Sequence, residues 1–144
     1  MAAIGVRAIL VLFALSALRA DQAADARSTL DQVARGLSEG NPADAISPFD
    51  KSYGDYDKLS GYFGGLTDAF QIVNEIDVVD ERDTERDITL TARWTITLSD
   101  LGSNYTERRV GDIQVRLLLK NRKWKIVEFL PIDIFDPRQK QSVR

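Results

Sequence analysis

Cysteine and histidine are both absent from the 144 residues of this sequence, and together they remove much of the usual site chemistry. Without cysteine there is no disulfide and no thiol nucleophile, so the core alone must hold the fold. Without histidine there is no imidazole base, no Ser-His-Asp triad and no common zinc site. Acid-base chemistry would have to rest on carboxylates, Tyr, Lys or Arg. Proline is scarce at 4 residues. No uninterrupted apolar run reaches the roughly 20 residues that a membrane-spanning helix requires.

What remains is a mildly acidic chain: 19 Lys and Arg against 22 Asp and Glu give a net charge of -3, and 44% hydrophobic residues suffice for one core at this length. A net acidic domain is a poor ligand for polyanions, so nucleic acid is not expected as a partner. Arg138, Lys140 and Arg144 make the tail 138–144 a solvated basic end. At the other end, Arg7 precedes the apolar stretch from Ala8 to Leu18, which Ser16 interrupts. This is the n-region and h-region of a secretory signal, and polar Asp21, Gln22 and Asp25 follow at once. The expectation is a signal peptide over 1–20 cut near Ala20, membrane contact only through that transient signal, and a periplasmic or extracellular product. Loss of Arg7 and Arg19 would take the charge from -3 to -5.

Apolar spacing by three and four at Ala26, Leu30, Val33, Ala34 and Leu37 predicts a helix over 25–37 that stops before Gly40. Asn41 and Pro42 then supply the N-cap and first position of a short second helix through Ala45 and Ile46. Leu59, Tyr62, Phe63, Leu66 and Phe70 share one face of a third helix over 57–70, which should bend or break near Gly64 and Gly65. From Gln71 the period falls to two. Ile72, Asn74, Ile76 and Val78 mark a first strand, and the charged block Asp80 to Asp87 reads as an exposed turn. Ile88, Leu90, Ala92, Trp94, Ile96 and Leu98 then alternate with a Thr- and Arg-rich set in a long second strand. A loop over 99–104 offers Gly102 and Asn104 for positive backbone angles. The third strand carries Ile113, Val115, Leu117 and Leu119 on one face, with Gly111 as a bulge. A tight turn at 121–123 leads to a last strand from Trp124 to Leu130, ended by Pro131.

Helices first and a meander after them make an α+β fold, with N-terminal helices packed on a curved antiparallel sheet of about four strands. The element order from Asp25 to Pro137, and the closing run Lys123-Trp-Lys-Ile-Val-Glu-Phe-Leu-Pro-Ile-Asp-Ile-Phe-Asp-Pro137, resemble the nuclear transport factor 2-like superfamily. That family is a cone-shaped roll that hosts ketosteroid isomerases, polyketide cyclase-like proteins and many exported proteins of unknown function. The resemblance implies one domain over 21–137, with a pocket between sheet and helices open at the wide end. It also implies an acid or base in that pocket, commonly Asp or His, a Tyr or second acid as hydrogen-bond donor, and frequent dimers through the sheet. No His is present to match.

Several residues are candidates for such a site. If Trp124 and Ile126 point inward, the period of two brings Glu128 to the same face, where a carboxylate among apolar groups would serve as acid, base or ligand anchor. Its alternative is an ion pair with Arg93 or Arg116, or a place at the exposed rim. Tyr53, Tyr56 and Tyr62, near Asp55 and Asp57, are donors for a ligand or else core aromatics with wet tips. Asn74 interrupts an apolar face and would line a polar patch or cap a helix end. Trp94 is a pocket wall or core. Arg93, Thr95, Gln114 and Arg116 on the opposite face are either solvated or the interface of a homodimer. The acidic block at 80–87 lacks the glycine and final Glu of a calcium loop. No metal or cofactor is expected. The reading is an exported domain that binds an apolar small molecule. Its rivals are an isomerase, hydratase or cyclase using Glu128, and an envelope interaction protein whose pocket is filled by its own side chains.

Overall fold

The computed structural model describes residues 21–138. The expected signal peptide and the tail beyond Arg138 lie outside the described residues. Helix α1 covers 21–38 and buries Ala26, Leu30, Val33 and Leu37 along one stripe. It closes in a Schellman turn: Gly40, at φ +70°, donates its N–H to Leu37 O, and Asn41 N donates to Gly36 O. Asn41 also caps α2 (Pro42–Ile46), its side chain accepting from Asp44 N at 3.2 Å. Helix α3 (Tyr56–Ala69) buries Leu59, Phe63 and Leu66. It runs unbroken through Gly64 and Gly65, contrary to the expectation of a kink, because apolar burial on one face outweighs weak local propensity.

Four strands follow in sequential antiparallel order: β1 (Phe70–Asp83), β2 (Asp87–Asp100), β3 (Thr106–Lys120) and β4 (Lys123–Leu130). A single 3-10 turn over Asp133–Phe135 comes last. The sheet lays one face on the helices, so the α+β architecture and the strand count follow the sequence pattern. Three local expectations do not hold. The charged block is strand as far as Asp83, with Glu81 opposite Leu90 and Asp83 opposite Ile88, because the ladder with β2 continues whatever the side chains. Gly102 and Asn104 are not among the positive-φ residues of the described part, where Asn121, Arg122 and Gly40 hold that conformation. Gly111 sits in regular register opposite Trp94.

The bulges fall elsewhere, and they decide which side chains face the core. Val78 pairs with Ala92 and Asp80 with Thr91, which leaves Val79 as an extra residue. Arg116 pairs with Glu128 and Leu117 with Ile126, which leaves Val127 extra on β4. Beyond that bulge the alternation inverts. Phe129 turns inward and Glu128 outward, the reverse of an unbroken period of two.

Candidate functional site

The space between helices and sheet, where a pocket is expected, holds aromatic rings. Phe49 and Tyr53 come from the α2–α3 connection, Phe63 from α3, Trp94 from the middle of β2, Phe129 from β4 and Phe135 from the 3-10 turn. All six are buried. Phe49 meets Phe129 with centroids 5.0 Å apart at 78°, and Phe63 meets Phe135 at 5.6 Å and 79°. Trp94 stands edge-on to both Phe129 and Phe135, at 5.7 and 5.5 Å. These are ring-to-ring contacts in favoured edge geometry, which leaves no gap between neighbouring rings for a ligand. Clefts of about 740 and 670 Å³ lie at the surface, one between α1 and the β3–β4 turn and one beside α2, the second touching Phe49 alone of the six rings.

The candidate pocket residues separate. Trp94 is core, and its indole N–H donates to Asn74 Oδ1 at 2.9 Å. The Asn74 amide in turn donates to Ala34 O at 3.1 Å and Ser38 Oγ at 3.2 Å. Asn74 is thus a strut that ties β1 and β2 to the last turn of α1, and it has the helix-capping role. Tyr53 donates its hydroxyl to Phe129 O. Burial, and then the nearby Asp55 charge, push its phenol well above the usual range, so it stays neutral. Tyr56 and Tyr62 lie half-buried at the core margin, with the Lys58 ammonium 5.8 Å from the centre of the Tyr62 ring. Glu128 is not in this group. The Val127 bulge puts it on the outer face, its side chain 57% exposed and 3.8 Å from Arg116.

The outer face carries the candidate interface residues together. Arg93 pairs with Asp112 at 3.1 Å, Arg116 with Asp87 at 2.8 Å, and Thr91 donates to Gln114 at 3.2 Å. Thr95 sits in register between Glu75 and Val110. Val73, Val110 and Leu130 point outward from three different strands with about half of their surface exposed.

Two features escaped the sequence reading. Arg109 is buried on the inner face at 1% exposure, with Glu107 beside it at 2.9 Å, and it also donates to Ile134 O at 2.9 Å and Asp136 O at 2.6 Å. The period of two through Ile113 and Gly111 runs back to both residues, so the pair was visible as a pattern. At the other end of the sheet, burial and a hydrogen bond to Asp83 raise the Glu81 carboxyl to about 7. Nearby, Gln22 of α1 donates to Thr84 O at 2.6 Å.

No family model matches the sequence, and no curated protein matches it. Solved structures do match. A scytalone dehydratase-like protein of Novosphingobium aromaticivorans superposes with a TM-score of 0.70 at 8% identity, over 79% of this chain and 85% of its own. A nuclear transport factor 2-like superfamily protein of Salmonella enterica gives 0.62 at 10% identity, over 80% and 89%. A protein of unknown function from Shewanella oneidensis gives 0.59 at 9% identity, over 75% and 96%. Identities this low carry the shape of the chain and not its chemistry.

Proposed function

Starting from the nuclear transport factor 2-like fold that this chain has, we propose an exported, non-catalytic interaction module that works through the outer face of its sheet, with a second copy of itself as partner. One observation carries the reading: the interior that would hold a substrate is occupied by Phe49, Tyr53, Phe63, Trp94, Phe129 and Phe135. The outer face has the chemistry of a self-complementary patch. Val73, Val110 and Leu130 supply apolar area, while Arg93 and Arg116 alternate with Asp77, Asp112 and Glu128. A two-fold pairing can set each charge against its opposite. Export is supported by the n-region and h-region of the sequence alone.

The enzyme reading draws support from the scytalone dehydratase-like neighbour. Against it, Glu128 faces solvent, and the inner-face acids Glu81 and Glu107 stand opposite Leu90 and Leu98, eight residues apart along β2 and not over Trp94. Sedimentation equilibrium tests the proposal. The protein should reach a dimer mass that Arg93→Glu lowers toward the monomer. A monomer at every concentration, or a dimer indifferent to that reversal, would end it.

A further inference from the structure

The surface cleft of about 740 Å³ between α1 and the β3–β4 turn shares no residue with the outer-face patch. Its apolar lining comes from Leu119 and Trp124, partners across the β3–β4 ladder, and from Pro48. Trp124 is half-buried, and its indole N–H donates to Asp25 Oδ2 of α1 at 3.3 Å, so the ring is held in place before any ligand arrives. The polar lining carries both signs of charge. Asp21 and Asp25 stand on α1 and Glu85 at the β1–β2 turn, while Arg122, Lys123 and Lys125 come from the β3–β4 hairpin. None of the six forms an ion pair among the described residues, and Lys125 donates to Ser47 O at 3.0 Å.

Arg122 occupies a place that suits glycine better. Lys120 pairs with Lys123, so Asn121 and Arg122 alone make the turn, at φ 51° and 67°. Two positive angles in a two-residue hairpin loop are the type I′ arrangement, whose second place favours glycine, and a long side chain there strains the backbone. Among the described residues the Arg122 guanidinium makes no hydrogen bond or ion pair that would offset this strain. Strain of this kind is kept where the side chain has another use.

We propose that this cleft binds a neutral oligosaccharide, with one sugar ring against Trp124 and hydroxyls shared between Asp21 and Asp25 on one side and Arg122 and Lys123 on the other. A sugar ring has an apolar C–H face that packs on an indole. Its hydroxyls both donate and accept, so a single ligand meets carboxylates on α1 and cations on the hairpin at once. An anion or a cation would find as many like charges as opposite ones, because three acids face three bases. The volume lies within the roughly 300–1,000 Å³ of ligand sites.

The two tryptophans supply the test. Maltotriose, cellotriose and chitotriose are titrated separately into the protein, and both indole N–H signals are followed by NMR. At least one of the three should give a saturating shift at Trp124 while Trp94, fully buried and bonded to Asn74, stays unmoved. No shift at Trp124 with any of them, or equal shifts at both indoles, overturns the proposal. Arg122→Gly then separates binding from folding. Glycine relieves the turn, so the urea midpoint should not fall, whereas affinity for the trisaccharide should drop at least about tenfold with the loss of a charged donor. Undiminished affinity in that variant overturns the proposal as well.

Discussion

On β2, Trp94 points inward and is enclosed by Phe129 and Phe135, while Thr95, one residue further, points outward between Glu75 and Val110. The two faces of this sheet are built from the same strands and differ in what covers them. The inner face meets helices and the 3-10 turn, so large rings fill it and even a cation, Arg109, is held there by Glu107 and two backbone carbonyls. The outer face has no covering element among the described residues, and its ion pairs at Arg93 and Arg116 are exposed. Burial is concentrated on the first face, and the proposed partner surface lies on the second.

Substitutions should separate the faces. Phe129→Ala, which removes a ring touching three others, should cost about 3–5 kcal/mol by urea unfolding, whereas Thr97→Ala on the outer face should stay within about 0.5 kcal/mol. Similar costs for the two would dissolve the contrast. Arg109→Leu should also cost about 3–5 kcal/mol by leaving Glu107 buried without its partner. Adding Glu107→Leu should return part of that loss, and a double variant worse than the single one would show that the pair is not the unit. Val110→Asp should abolish self-association in sedimentation while shifting unfolding by less than about 1 kcal/mol.

The Glu81 carboxyl gives a pH dependence with a defined sign. Its folded pKa of about 7 lies above its ordinary 4.5, so the folded chain keeps this proton where the unfolded chain has lost it. The associated stability is full below about 4.5 and is lost as pH rises through 7. Glu81→Gln should flatten that part of the urea-midpoint profile, and an unaltered slope would assign the dependence elsewhere. The smallest effect is expected at Glu128, since Glu128→Gln removes only an exposed 3.8 Å pair with Arg116 and should shift unfolding by no more than about 0.5 kcal/mol.

Element order was legible because it rests on periodicity, and the strand faces through Ile72, Trp94 and Ile113 follow from alternation alone. Bulges were not legible. An extra residue at Val79 or Val127 leaves no mark in composition, yet the one at Val127 moved Glu128 out of the interior and Phe129 into it. The filling of the interior by Phe135 was not legible for a related reason. Phe135 belongs to an aperiodic stretch after Pro131, and only the folded chain reveals that this stretch returns to fill the space the helices leave. Arg109 was within reach, since its phase follows from Ile113, but a charge is seldom assigned to a buried position without a visible partner.

A dilution series of amide NMR spectra tests the division of labour between the faces most directly. If the outer face is the working surface, concentration-dependent shifts will gather at Val73, Thr95, Val110 and Leu130 while Trp94, Phe129 and Phe135 stay fixed. Shifts centred on those three inner residues, or none anywhere across the series, would contradict it.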